Sequence, residues 1–146
     1  MPECSYESHS PEATRRIGAQ LAEKLERGSV VAVRGDLGAG KTCIIQGVCQ
    51  ALAVRDYVTS PTFILINEYR GVLRGEPIDV HHIDLYRLRS VAELEDLGID
   101  EYLYGRGICL IEWPELAAGL LPRRHLEVEL AVDGPARRTI VVRSRP

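Results

Sequence analysis

The fold of this chain is decided by the stretch RGDLGAGKTCI, residues 34–44. Residues 35–42 fit the pattern G-x-x-x-x-G-K-[ST] at every fixed position. The apolar run Val30–Val33 comes just before this stretch, and apolar residues at helical spacing follow it. This setting distinguishes a phosphate-binding loop from a chance glycine-rich turn. We therefore predict a buried strand, a phosphate-binding loop and a helix, in that order.

The residue types in the loop match the chemistry of binding a nucleoside triphosphate. Glycines let the backbone approach phosphate oxygens with its N–H groups pointing inward, and the helix N-terminus adds positive potential. Lys41 is predicted to reach the β- and γ-phosphates, and Thr42 to bind Mg²⁺ through its hydroxyl. The loop thus predicts a site for a nucleotide with its magnesium ion.

Such a loop needs an acidic residue at the end of a neighbouring strand, and the sequence offers two. Glu112 follows the wholly apolar run that ends at Ile111, and Asp84 follows a less apolar run that ends at Ile83. Either acid could hold a metal-bound water or orient the attacking water. Glu112 is favoured from the residues alone. His81 and His82 face opposite sides of a strand, so we interpret both as structural rather than as zinc ligands.

Other periodic segments predict the rest of the fold. The predicted order is helix, strand, loop, helix, strands, helix, strand, helix and hairpin, which is typical of a three-layer α/β domain. The sheet is predicted to be mixed, with an antiparallel part near the end. We treat residues 1–146 as a single domain of the P-loop type. The segments are a helix starting at Ser10-Pro11-Glu12 and ending at Gly28, strands at Thr62–Tyr69 and Ile78–Ile83, a helix capped by Ser90, a strand at Ile108–Ile111, a short helix from Pro114, and a hairpin of His125–Val132 with Arg138–Arg143.

Composition narrows the class of protein. The chain has 146 residues, a net charge of −3 and a pI of about 5.8, which excludes a strongly basic nucleic-acid-binding surface. No apolar run approaches the length of a membrane span, and the first ten residues lack a secretory signal pattern. The four cysteines show neither C-x-x-C nor zinc-finger spacing, so free thiols in a reducing compartment are expected. We expect a cytoplasmic protein that does not contact a membrane.

Two further features leave alternatives open. A hydroxyl in Ser60-Pro61-Thr62-Phe63 could contact the γ-phosphate and respond to its presence. The start of a strand explains the same residues without a ligand. Trp113, the only tryptophan, is interpreted from the residues alone as a core side chain.

Four blocks together resemble one family. GDLGAGKT (residues 35–42), SPTF (60–63), HIDLYRL (82–88) and IEWPE (111–115) occur in this order. The chain resembles the TsaE family, also called YjeE, the small bacterial P-loop ATPases of tRNA threonylcarbamoyladenosine synthesis. The resemblance spans nearly the whole chain, and the four blocks are far more specific than the loop alone.

The resemblance implies an activity and partners. A member of this family binds ATP and Mg²⁺, hydrolyses ATP weakly alone, and acts with the TsaB–TsaD pair that transfers threonylcarbamoyl to tRNA. It is expected to reset that complex between rounds and to meet tRNA only indirectly. The residue roles that the resemblance implies are a catalytic centre of Asp84, Thr62 and Glu112, metal ligands Thr42 and Glu112, phosphate contacts from Leu37, Gly38, Ala39, Gly40, Lys41 and Thr42, and further nucleotide contacts from Trp113 and, near the base, Thr14.

Three rival functions differ in their requirements. A small P-loop kinase acting on a metabolite would need an acceptor pocket and usually an Arg-bearing lid, and no long lid insertion is evident. A GTPase is disfavoured because no N-K-x-D signature occurs. A nucleotide-gated binding module, whose output is assembly with another protein, overlaps with what the resemblance implies.

Overall fold

The computed structural model describes residues 3–59 and 66–145. Within these ranges the chain forms a seven-stranded sheet, four α-helices and one short 3₁₀ helix. The elements are β1 (Glu3–Ser8), α1 (Pro11–Ala22), β2 (Val30–Gly35), α2 (Lys41–Ala51), β3 (Ile66–Leu73), β4 (Glu76–Asp84), α3 (Val91–Asp96), α4 (Ile99–Leu103), β5 (Ile108–Glu112), the 3₁₀ helix (Pro114–Ala117), β6 (His125–Gly134) and β7 (Arg137–Arg145).

The sheet has a parallel centre and antiparallel edges. Its strand order is β1-β7-β6-β2-β5-β4-β3, and β6, β2, β5 and β4 run parallel to one another. β7 and β1 extend one edge in antiparallel pairing, and β3 does the same at the other. The predicted mixed sheet with an antiparallel part near the end is confirmed. At the second antiparallel edge, β3 and β4 form a hairpin, whereas the sequence predicted only two strands there.

Helices cover both faces of the sheet, which confirms the three-layer prediction. On one face, buried residues of α1 and α2, such as Ile17 and Ile44, form a core with alternate residues of the central strands. On the other face, Leu94 of α3 and Leu103 of α4 pack with Cys109 and Ile111 of β5. All the side chains of β5 are buried, because a central parallel strand has a helical layer on each side.

α1 and α2 approach each other at backbone distance. A Cβ built on Gly47 of α2 would lie 2.0 Å from the carbonyl oxygen of Arg15, and one on Gly18 of α1 would lie 2.2 Å from that of Ile44. Only glycine fits at such contacts, so the two helices are held close together, and α2 is the helix that leaves the glycine-rich loop.

Several boundaries differ from the sequence prediction. α1 ends at Ala22 and not at Gly28, because the next N–H groups bond three residues back, as in Leu25 to Ala22, and this tighter turn still buries Leu25. β3 begins at Ile66, and the residues predicted before it, 62–65, lie outside the described part of the chain. In the terminal hairpin, Val132 is half exposed rather than buried, and it lies where the register between β6 and β7 shifts.

β1 and α4 were not predicted from the sequence. β1 pairs along its length with β7, and the paired residues include Glu7 with Thr139 and Ser8 with Arg138. Cys49 and Cys109 are buried, whereas Cys4 and Cys43 are partly exposed, and all four thiols are free. No helix in the described ranges is long and apolar enough to cross a membrane.

Candidate functional site

The glycine-rich loop joins the carboxyl end of β2 to the first residue of α2. Gly38 and Gly40 have φ angles of 78° and 104°, in the left-handed region that a side chain disfavours. Gly40 is also the N-cap of α2, and no side chain caps that helix. The N–H groups at the start of α2 therefore face the concave side of the loop, as phosphate binding requires.

Lys41 lies at the centre of the site. Its Nζ donates to the backbone carbonyls of Gly35, at 2.5 Å, and Asp36, at 3.0 Å. The same Nζ lies 3.8 Å from the centre of the Trp113 ring. Burial lowers the pKa of Lys41, and the nearby carboxylates of Glu112 and Asp84 oppose that shift. An ammonium has three N–H groups, so one remains available for a phosphate oxygen.

The two predicted acids stand side by side at the carboxyl edge of the sheet. β4 and β5 are parallel neighbours, and their register places Asp84 opposite Glu112. Both side chains are buried. Asp84 Oδ1 accepts a hydrogen bond from the backbone N–H of Tyr86 at 2.9 Å. Burial raises the pKa of Asp84, and the charge of Glu112 raises it further. The two carboxyl groups therefore have different surroundings.

His82 contacts Glu112 directly, a contact that could not be predicted from the sequence pattern. His82 Nε2 lies 2.6 Å from Glu112 Oε2, and both side chains are almost fully buried. His81 faces the other side of the sheet, where its ring meets that of Tyr102 edge-on at 4.8 Å. The prediction that the two histidines point in opposite directions agrees with these contacts.

Trp113 lies beside the loop as well as against the core. Its φ and ψ angles are 56° and 57°, a left-handed conformation at the bend between β5 and the 3₁₀ helix. The ring packs at 4.8 Å from that of Tyr86 and also contacts the buried cluster under α3 and α4. Its contact with Lys41 makes it a residue of the site, which the core interpretation from the residues alone did not foresee.

A cavity of about 290 Å³ opens next to the loop. Thr14 of α1 lines it, with Gly40 and Cys43 on one side and Arg138 on the other. The hydroxyl groups of Thr14 and Ser8 are 2.7 Å apart, and Arg138 donates to the carbonyl of Gly38 at 3.3 Å. Gly38, Ala39 and Gly40 of the loop line this cavity, so the loop and the cavity are contiguous.

The predicted site residues fall into four groups. Lys41, Thr42, Asp84, Glu112 and Trp113 gather around the start of α2. Thr14 lies at the adjoining cavity. Thr62 lies outside the described residues, so its predicted place in the catalytic centre stays a prediction. Leu37, Gly38 and Ala39 form the loop, where Leu37 is 69% exposed and Ala39 is buried.

The chain is similar to known proteins of one family. A model of the family described as "Threonylcarbamoyl adenosine biosynthesis protein TsaE" matches residues 8–140. The chain belongs to the TsaE family. The match covers the loop, both acids and the Trp113 bend, and it extends into the last strand.

Individual members of the TsaE family support this assignment. The "tRNA threonylcarbamoyladenosine biosynthesis protein TsaE" of Treponema pallidum is 40% identical over 135 residues, covering 92% of this chain and 96% of the relative. The protein of the same name from Bacillus subtilis is 38% identical, covering 96% and 85%. The crystal structure of Bacillus subtilis YdiB aligns with a TM-score of 0.80 at 31% identity, covering 99% of this chain and 87% of that one.

The donor atoms of the site fit a magnesium ion. Magnesium prefers hard oxygen ligands and commonly binds through one or two carboxylates together with substrate phosphates. Thr42 offers a hydroxyl beside the loop, and Glu112 offers a carboxylate at the end of the neighbouring strand. No soft ligand such as a thiolate belongs to this group, since Cys109 lies on the opposite face of β5.

Two contributors to the site were not found from the sequence. The first is His82, whose place two residues before Asp84 put it on the same face of β4. That periodicity was the available signal. The second is the contact of Arg138 with Gly38: the sequence left the role of Arg138 open, because the two residues are a hundred apart in the chain and no local pattern joins them.

Proposed function

We propose that this chain is a Mg²⁺-dependent ATPase of low intrinsic rate that supports threonylcarbamoyladenosine modification of tRNA. ATP would bind at the glycine-rich loop, and the nucleotide state would set how the chain associates with the TsaB–TsaD transferase pair. The chain would act in the cytoplasm and contact tRNA only indirectly. Membership of the TsaE family supports the pathway, and the site supports the chemistry.

One observation carries the proposal. Lys41, at the start of α2, faces two buried carboxylates that end adjacent parallel strands, Asp84 and Glu112. A site for phosphoryl transfer needs this combination, a cation and a metal to balance phosphate charge and an acid to orient the attacking water.

Each side chain has a task in this proposal. Lys41 neutralises charge on the transferred phosphate, while the loop N–H groups hold the other phosphates. Thr42 and Glu112 would hold the magnesium ion, which supplies further positive charge to the β- and γ-phosphate oxygens. Asp84 accepts a hydrogen bond from the attacking water and so aligns it with the phosphorus. Its backbone hydrogen bond from Tyr86 fixes one of its oxygens and leaves the other for that water.

The nucleoside end of ATP would occupy the adjoining cavity. Thr14 and Ser8 present hydroxyl groups there, and the guanidinium of Arg138 reaches the rim. A cavity of about 290 Å³ provides room for the base, with the ribose nearer the loop. This arrangement supports the predicted place of Thr14 near the base.

The proposal that the chain acts on a protein partner rests on its net charge and on the coupling between nucleotide binding and partner binding. The net charge of −3 gives no strong electrostatic attraction to tRNA, which a protein acting alone on tRNA would need. Exchange of ATP for ADP can shift binding to a partner only if the ATP-bound and ADP-bound chains have different affinities for that partner. A coupling of about 1–3 kcal/mol, roughly a 5–150-fold change in affinity, would be typical of such a switch.

Hydrolysis and binding assays test the proposal. ATP hydrolysis is measured with and without the TsaB–TsaD pair, and stimulation by the pair is expected. Calorimetric titration into the pair, first with a non-hydrolysable ATP analogue and then with ADP, should give different affinities. Equal affinity in both states, or no binding in either, would contradict the switch. Transfer of phosphate to a metabolite in an acceptor screen would favour the kinase alternative.

A further inference from the structure

The contact between His82 and Glu112 joins two adjacent strands at the edge of the site. In the parallel register His82 lies opposite Leu110, so its side chain reaches two residues along β5 to meet Glu112. The 2.6 Å separation of Nε2 and Oε2 is that of a short, charge-assisted hydrogen bond. Side-chain exposure is 0% for His82 and 4% for Glu112, so water does not compete for this contact.

The pairing is directional. A carboxylate that binds a metal carries no proton and only accepts hydrogen bonds, so the proton between the two groups belongs to His82 Nε2. That N–H fills one acceptor position of Oε2. The contact therefore holds the Glu112 carboxylate by one of its two oxygens.

The other ring nitrogen argues against a purely structural histidine. His82 Nδ1 is buried and has no hydrogen-bond partner among the described residues. Buried polar atoms are usually paired, and a histidine kept only for packing would gain nothing from an unpaired nitrogen. The polar contact of the His82 ring is therefore the one between Nε2 and Glu112.

We propose that His82 is a positioning residue that fixes the carboxylate of Glu112 for Mg²⁺. This inference rests on the proposed Mg²⁺–nucleotide site. A glutamate side chain has three rotatable torsions, and a hydrogen bond from the neighbouring strand restricts them. Partners that orient a metal ligand in this way commonly determine metal affinity, although they never touch the metal.

Two polar replacements separate the hydrogen bond from packing. His82→Gln retains an N–H donor at about the distance of Nε2 from the backbone, so it can still reach Glu112. His82→Asn ends about where Nδ1 of the ring lies, so its amide falls short. Both variants place an uncharged amide in the same buried position, and both can be checked for folding by urea unfolding.

The measurement is a Mg²⁺ titration of affinity for a non-hydrolysable ATP analogue. His82→Asn should raise the Mg²⁺ concentration for half-maximal effect by about 10–100-fold, the usual cost of losing such a partner. His82→Gln should stay within a few-fold of the wild type. Affinity for the analogue without Mg²⁺ should be the same in all three proteins. A general loss of structure would instead lower that metal-free affinity.

A double mutant tests whether His82 acts through Glu112. In a Glu112→Gln background, adding His82→Asn should not change the Mg²⁺ requirement further, because the ligand to be positioned is gone. A further shift of the same size would overturn the proposal, as would an unchanged Mg²⁺ requirement in folded His82→Asn. Mg²⁺-independent binding by the wild-type chain would overturn the proposed function itself, and this role with it.

Discussion

The ammonium nitrogen of Lys41 lies over the face of Trp113, 3.8 Å from the ring centre. Lys41 is thereby in contact with the bend that follows Glu112. Because Trp113 is the only tryptophan in the chain, tryptophan fluorescence reports on the surroundings of this one ring, which include Lys41. A ligand that draws Lys41 toward a phosphate should change the environment of the ring.

We therefore expect MgATP to shift or quench Trp113 emission in the wild-type chain. Adenosine, which has no phosphates to engage Lys41, should produce a much smaller change at concentrations that fill the base cavity. The measurement is a fluorescence titration with both ligands. Identical changes with adenosine and MgATP would mean that the ring does not respond to the phosphate end.

Replacing Lys41 should weaken nucleotide binding while preserving the fold. The chain has two lysines, and Lys24, which is exposed and away from the site, provides a matched control. Losing a charged hydrogen bond of about 1.5–3 kcal/mol should weaken ATP binding of Lys41→Ala roughly 10–150-fold. Lys24→Ala should bind ATP as the wild type does. ATP affinity is measured by titration and folding by circular dichroism. Unchanged ATP affinity in a folded Lys41→Ala protein would contradict the phosphate-binding role of Lys41.

Substitutions of the two acids should cause different defects. Glu112→Gln should bind ATP with a weaker dependence on Mg²⁺, because an amide is a poorer ligand for a hard cation. Asp84→Asn should bind MgATP normally and hydrolyse it slowly, since its amide cannot accept the same hydrogen bonds from water. Binding and hydrolysis are measured on both variants with the TsaB–TsaD pair present. Wild-type hydrolysis by both would show that neither assignment holds.

Cysteine labelling should map the base cavity. Cys43 lines that cavity and is partly exposed, so bound ATP should slow its alkylation by N-ethylmaleimide. Burial raises the pKa values of Cys49 and Cys109 to about 12, so these thiols should stay unlabelled in the folded protein. Cys4, outside the cavity, should react equally with and without ATP. Mass spectrometry of peptides gives all four rates, and ATP-insensitive labelling of Cys43 would place the nucleotide elsewhere.

The close approach of α1 and α2 should make Gly47 intolerant of a methyl group. A Cβ there would lie 2.0 Å from the carbonyl oxygen of Arg15. This is a backbone atom of α1, so it cannot easily move away. Gly47→Ala should lower the free energy of unfolding by about 1–3 kcal/mol, despite the better helix propensity of alanine. Gly119→Ala, where an added Cβ meets nothing within 4 Å, is the control. Urea unfolding compares the two, and equal stability would mean that the helices can separate.

The parts of the site that lie close together in the chain were predictable from sequence. The motif of residues 35–42 predicted β2, the loop and α2, and the apolar run before Glu112 predicted β5. Asp84 and Glu112 were recognised as strand-end acids because parallel strands bring their carboxyl ends to one edge. Their direct opposition depends on register, which no local pattern encodes.

The missed elements have physical reasons. β1 is largely polar and lies at the edge of the sheet, so it lacks the apolar run that marks a buried strand. α4 follows Gly98 without a side-chain cap, so it has no start signal of the kind that Ser90 gives to α3. His82 was interpreted as structural because sequence spacing shows which face a residue occupies but not which side chain it meets there.

The pairing of β1 with β7 has a consequence for synthesis of the protein. Glu7 and Arg137, joined by an ion pair in that pairing, are 130 residues apart in the chain. Ser8 and Arg138, opposite each other in the same register, both line the base cavity. A ribosome therefore releases the phosphate-binding loop long before the strand that completes its cavity. The growing chain should complete this cavity only when β7 pairs with β1, so under the proposed function ATP cannot stabilise earlier folding intermediates through the cavity.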